Sequence, residues 1–228
     1  MIGIEYSVLS IARESSHYLI LDTLYLILIH PAFMRRVLPL LLVSCVLLSS
    51  CGGDAAIVSL RPPKGNPEGI VLVEEFADFE CPYCAPTHTG VVAPLIEAYG
   101  DVIRYEWKHF PLRTIHRYAM DASEASECAA DQGKFWEFVD IAFAHQEDLS
   151  YEALLSWAET IGLDVSRFER CWKSHEKRQV VLADYEEGRK REVNGTPTFF
   201  VNGQPVPNGF DTLSAAIEEI LKEYKMRL

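Results

Sequence analysis

The apolar positions change rhythm several times along the chain. Val37 to Leu48 is an unbroken uncharged run, and Tyr18 to Ile29 is a second one, interrupted by Asp22 and closed by His30-Pro31. Ala55 to Gly69, with Arg61-Pro62-Pro63 and Asn66-Pro67, has no apolar period and predicts a tether. Ile70 to Phe76 is short, apolar and rich in β-branched residues, which predicts a buried strand. After Cys81-Pro82-Tyr83-Cys84, residues Val91, Val92, Leu95, Ile96 and Tyr99 recur at helical spacing until Gly100, and Val102 to Trp107 predicts a second strand. Strand, helix, strand is the order of a parallel crossover.

From Ile115 to about Glu192 no strand pattern is visible. Helical periods cover Tyr118 to Asp131, Lys134 to Ala144, Tyr151 to Ile161, Val165 to Trp172 and Glu176 to Arg191. Asp148 or Ser150 suits the cap of the third, and Asp164 that of the fourth. Thr198 to Val201 and Gln204 to Val206 flank Asn202-Gly203, a strong hairpin signal, and a last helix is predicted from about Thr212 to Tyr224. The order βαβ, helical block, ββα predicts an α/β fold over residues 70–228 with an all-helical insertion at about 113–192.

Charge divides the chain further. Its 228 residues carry 33 Asp and Glu against 21 Lys and Arg, a formal charge of -12. The first fifty residues hold three charges of each sign, so residues 51–228 carry the whole excess. That acidity argues against nucleic acid as a partner. Met34-Arg35-Arg36, the apolar run and the small residues at 49–53 have the order of an export signal and are too short to span a bilayer. Leu48-Ser49-Ser50-Cys51 resembles the lipobox of bacterial lipoproteins, which implies a signal peptide over 34–50, lipidation at Cys51 and a membrane-anchored tether over 51–69, facing the periplasm or cell exterior. Such a signal belongs near a chain start. Residues 1–33 are therefore expected to be a start-site over-extension, with a genuine extra membrane segment as the competing view.

The remaining cysteines divide by position. Cys81 and Cys84 sit where a strand hands over to a helix; there the unpaired N–H groups and the helix dipole stabilise a thiolate, and the first sulfur is expected to be exposed. Pro82 fits the first turn, where a missing N–H is tolerated. Zinc would want a second Cys or His pair, and none stands at suitable spacing, so the motif reads as redox-active, with no metal and no cofactor. Cys128 and Cys171 fall in different predicted helices, most simply as a structural disulfide of an exported protein; two buried free thiols are the alternative.

Glu75-Phe76-x-x-Phe79-x-Cys81-Pro82-Tyr83-Cys84, Phe110-Pro111-Leu112 with His116, Gln132-Gly133-Lys134-Phe135-Trp136 and Gly195 to Gly203 together resemble the DsbA family of thiol-disulfide oxidoreductases. The resemblance covers about residues 70–225. It implies a thioredoxin-like fold with a helical domain inserted between the second and third core strands. It makes Cys81 the attacking cysteine, Cys84 the resolving one, Pro197 a cis-proline that turns the backbone of Thr196 toward Cys81, and Glu75 a buried acid that helps move the proton of Cys84. It also supports pairing of Cys128 with Cys171. The family's best-known member has His at the position of Tyr83, so its potential does not carry over.

Other residues are expected to do less. Glu74 is expected to be exposed, His88 to be a surface helix residue with tuning of the cysteine site as the alternative, His116 to cap or pack at the start of the insertion, and the four tryptophans to be core. Arg189-Lys190-Arg191 reads as a solvated helix end, and Asp78 and Glu80 are expected to raise the pKa of Cys81. The expected function is oxidation of cysteine pairs in exported proteins by a monomer, re-oxidised by a DsbB-like membrane partner. The alternatives are a reductase or isomerase, or a tethered module that binds clients or metal without turnover.

Overall fold

The computed structural model of the chain describes residues 58–227. The expected leader, start-site over-extension and Cys51 lipidation site lie outside them. β2 (Val71–Ala77) runs through the centre of a five-stranded sheet of order β1-β3-β2-β4-β5, in which β1 is Lys64–Gly65. It pairs in parallel with β3 (Ile103–His109) and antiparallel with β4 (Thr198–Val201), which continues by hairpin into β5 (Gln204–Val206). The hairpin loop is Asn202-Gly203, with φ of 45° and 79°; two positive φ values suit the twist of the strands, and Asn and Gly tolerate them best.

Between β2 and β3 the chain forms α1 (Cys84–Thr87), a π-helical turn (His88–Val92) and α2 (Ala93–Tyr99). Val92 and Leu95 pack with Val71, Val73, Tyr105 and Phe199 on one face of the sheet, where α8 (Phe210–Arg227) adds Leu213 and Ile217. The other face presents Phe76 and Phe200, which pack with Phe110 and Val193 under α7 (Arg178–Lys190). Helices on both faces explain why β2 carries apolar residues on both sides, Val71 and Val73 on one and Phe76 on the other, and does not alternate with exposed polar ones. α7 lies so close that a Cβ on Gly188 would fall 2.6 Å from the Phe110 ring.

The insertion supplies α3 (Ala119–Ala130), α4 (Phe135–Ala144), α5 (Tyr151–Thr160) and α6 (Val165–Lys173), followed by α7. Ser150 and Asp164 cap α5 and α6 through Ala153 N and Arg167 N. Phe138, Leu154, Trp157 and Phe168 form the helical core, which continues into Phe79 and Trp107 of the sheet domain. Cys128 of α3 and Cys171 of α6 are joined in a disulfide with Cα atoms 5.9 Å apart. Replacing both by serine is expected to destabilise the protein by about 4 kcal/mol, because the open chain regains the entropy of a 43-residue loop. Urea unfolding of the variant checks this; a loss below about 1 kcal/mol would rule the contribution out.

Two expectations need correction. The tether prediction fails over residues 58–69. Lys64–Gly65 forms β1 against β3, and Trp136 Nε1 donates to Pro62 O at 2.9 Å. The Arg61 guanidinium enters the protein between Glu127 of α3 and Asp184 of α7, 2.6 Å from the latter. Glu127 also accepts from His109 Nε2 at 3.0 Å; Trp107 Nε1 donates to His109 Nδ1, which places the ring proton on Nε2. Burial pushes the Glu127 carboxyl up, but His109 and Arg61 hold it down at about 2. Glu74, expected exposed, is buried because it points to the α7 face, where Arg191 grips both its oxygens at 2.9 Å and stacks on Phe200 at 3.8 Å. The run Arg189-Lys190-Arg191 is thus solvated only in part.

Candidate active site

β2 ends at Ala77, and the next four residues carry the chain across the sheet edge to Cys81. Cys81 N donates to Asp78 O and Cys84 N to Cys81 O, so residues 81–83 form the turn from which α1 begins. Cys81 thus precedes the helix and is not its first residue. Nor is its sulfur exposed as expected: the residue is 3% accessible. Its Sγ donates to Thr196 O at 3.1 Å, across a Thr196–Pro197 peptide bond that is cis. Both cysteines are unbonded, and Cys84 is fully buried.

Hydrogen bonding from Cys84 lowers the Cys81 pKa to about 5 against the opposing effect of burial, helped by Thr196 and the backbone N–H groups of Tyr83 and Cys84. The Thr196 hydroxyl is buried without another partner, free to donate to a thiolate. The acidic neighbours do not raise Cys81 as expected, because both carboxylates are tied elsewhere. Asp78 Oδ1 accepts from Glu80 N at 2.7 Å, and its Oδ2 accepts from Leu112 N at 2.8 Å and contacts His116 Nδ1 at 2.7 Å. Glu80 accepts from Tyr118 N at 2.6 Å. Burial, then the hydrogen bond with Cys81 and the charge of Glu75, push Cys84 far above the ordinary thiol range. Glu75 lies on β2, 1% accessible, where burial raises its pKa to about 8 although Tyr105 donates to its Oε2; its Oε1 has no partner among the described residues.

A family model described as thioredoxin matches residues 61–219. The chain belongs to the thioredoxin family. Among solved structures it is similar to a thioredoxin-like oxidoreductase from Silicibacter pomeroyi, at 27% identity and a TM-score of 0.65 over 75% of this chain and 99% of that one. The thiol-disulfide exchange protein alpha-DsbA2 from Wolbachia pipientis shares the fold, at 21% identity and a TM-score of 0.60 over 71% and 86% of the two chains. The fold is that of DsbA-like thiol-disulfide oxidoreductases. The Na(+)/H(+) antiporter NhaA 3 of Salinispora tropica is 37% identical over 77% of this chain and 28% of its own length. The chain spans about a quarter of the length of the curated relatives it matches. No helix among the described residues is long and apolar enough to cross a membrane.

The thioredoxin-family site has parts that sequence reading missed. Gln146 Nε2 bridges Phe79 O at 2.6 Å and Cys81 O at 2.7 Å, fixing the active-site turn from the insertion. His88 is buried, not on the surface: the π-helical turn sets it against Phe143, with Nε2 2.7 Å from Asp140 Oδ1. Nothing in a single sequence marks these partners, which lie 52 to 67 residues away. His116 packs at the start of the insertion through Asp78. Tyr83 stands 71% exposed beside the cysteines.

Proposed function

We propose that the protein is a thiol-disulfide oxidoreductase that oxidises cysteine pairs in exported polypeptides through Cys81 and Cys84. The observation that carries this reading is the contrast between the two sulfurs: Cys81 Sγ lies 3.1 Å from Thr196 O beside the cis-proline, where the hydrogen bond from Cys84 lowers its pKa, while Cys84 is fully buried, which raises its own. Starting from the Cys81–Cys84 disulfide, a client thiolate attacks Cys81 Sγ; the enzyme's S–S bond breaks and its electron pair leaves with Cys84. Cys84 then takes up a proton, and Glu75, protonated at neutral pH, is the buried acid that supplies it. A second client thiolate attacks the client sulfur of the mixed disulfide, and Cys81 departs as a thiolate. The client loses two electrons, and the enzyme gains them. The cis Thr196–Pro197 segment gives an incoming peptide a strand edge to pair with.

A stabilised Cys81 thiolate favours the reduced enzyme and so makes its disulfide oxidising. A pKa of about 5 lies between those of thioredoxin and DsbA, about 7 and about 3.5. The expected potential is therefore between about -270 and -120 mV. Equilibration with glutathione measures it, and a value at or below that of thioredoxin would turn the reading to a reductase. Because the folded pKa is depressed from about 9, the extra stability of the reduced form is complete above pH 9 and is lost as pH falls through about 5. Alkylation of Cys81 by iodoacetamide is expected to titrate with a midpoint near pH 5; a midpoint above 8 would refute the thiolate.

Export and anchoring belong to the same proposal: a signal over 34–50, a lipid on Cys51 and re-oxidation by a DsbB-like membrane partner. The order of basic residues, apolar run and lipobox supports the first two, and the Cys128–Cys171 disulfide suits an oxidising compartment.

A further inference from the structure

Past the C-terminal end of β3, the same end of the sheet from which β2 leads to Cys81, lies a groove of about 450 Å³ that the thiol chemistry leaves unused. Phe110, Leu112 and Tyr185 give it apolar walls, and Arg113, Arg189 and Asn194 stand on its rim. Tyr185 stacks on Phe110 with ring centroids 4.8 Å apart, and the Arg113 guanidinium sits 4.6 Å above the Tyr185 ring. In a protein of charge -12, Arg61, Arg178 and Arg191 all hold carboxylates. Arg113 and Arg189 do not: among the described residues neither has a carboxylate within 4.0 Å. Two uncommitted cations over an apolar floor are complementary to an apolar side chain with an acid next to it.

Two of its lining residues lead back to the reactive centre. Leu112 is bonded through its N–H to Asp78, whose carbonyl receives Cys81 N. Asn194 stands two residues before Thr196, the residue that holds the Cys81 thiol. An extended peptide advances about 3.3 Å per residue, so side chains two or three positions from a cysteine lying against Thr196 come level with Asn194. We propose that this groove is a client-specificity subsite: it receives an aliphatic or aromatic side chain flanked by a carboxylate, two or three residues from the reacting cysteine. The proposal rests on the redox reading above and names the class of client that the same site prefers.

A matched set of dithiol peptides tests it, each with a leucine flanked by two Glu, two Gln or two Lys, placed either before or after the reacting cysteine. The reduced peptides are oxidised by the full protein in its Cys81–Cys84 disulfide form, regenerated by excess glutathione disulfide, and kcat/KM is read at low and high salt. The Glu peptide is expected to react roughly tenfold faster than the Lys peptide in one of the two placements, with the gap closing in salt. In the double variant Arg113→Glu/Arg189→Glu the order should invert, a result that a misfolded variant cannot give. Equal rates for the three peptides, or a preference that survives the double variant, would overturn the subsite. So would self-association of the wild type, lost in the double variant, without any ranking of peptides. Oxidation of dithiothreitol by the wild type separates the two levels: if it fails, the redox reading fails; if it succeeds while the peptides are not ranked, only the groove assignment does.

Discussion

Cys84→Ala is expected to abolish turnover and turn the protein into a trap. Without Cys84 the enzyme cannot form its own disulfide and has no oxidising equivalents to pass on, so oxidation of a client dithiol should fall to the uncatalysed rate. Cys81 keeps its Thr196 contact and still attacks client disulfides, but a mixed disulfide, once formed, has lost its internal escape route. Adducts that disappear on reduction should accumulate on non-reducing gels, and the double variant Cys81→Ala/Cys84→Ala should show none. Adducts of equal yield in both variants would mean that Cys81 is not the attacking residue. Zinc analysis of the same preparations addresses the tethered binding module: stoichiometric metal without adducts would favour it.

A stability effect as large as that of the disulfide is expected at Arg61. Its guanidinium neutralises two carboxylates, Glu127 and Asp184, that are 0% and 9% accessible. Arg61→Ala leaves both without that partner, and breaking a buried pair from one side costs about 3 to 5 kcal/mol. For a domain of this size that lowers Tm by roughly 10 °C or more. The dependence on pH gives a second check. Glu127 has its folded pKa depressed, so its contribution is present above the ordinary carboxylate range and is lost as pH falls through about 2. The gap between wild type and variant should therefore narrow on acidification. A variant melting within 2 °C of the wild type at pH 7 would show that Arg61 contributes no net stability.

The legible parts of this chain were those encoded locally. The period of the helices, the Asn202-Gly203 turn and the strand-to-helix position of Cys81-Pro82-Tyr83-Cys84 all depend on neighbours within a few residues. What stayed hidden depends on partners brought in from afar. Arg61 lies in a Pro-rich stretch that reads as linker, and Glu127, 66 residues on, and Asp184 of α7 make it structural. In α3 the residues Ser123, Glu124, Ser126 and Glu127 look like a solvent face, yet all are buried: Glu124 bonds to His175 and Arg178, Glu127 to Arg61 and His109, and the serines to backbone carbonyls of their own helix. The effect of Asp78 and Glu80 on Cys81 was misjudged for the same reason. Sequence proximity suggested repulsion, whereas the orientation of each carboxylate is set by the loop at 112–118.

Asp78 has a consequence for which cysteines the enzyme can act on. One carboxylate ties the segment before Cys81 to Leu112 and His116, while Gln146 holds the same turn from the insertion. The mould that receives a client is cast in advance, and docking costs the enzyme little ordering. The client must then supply the pliancy itself. On the proposed redox reading, cysteines in unfolded stretches can bend to fit, whereas those locked into a finished fold are disfavoured by their own rigidity.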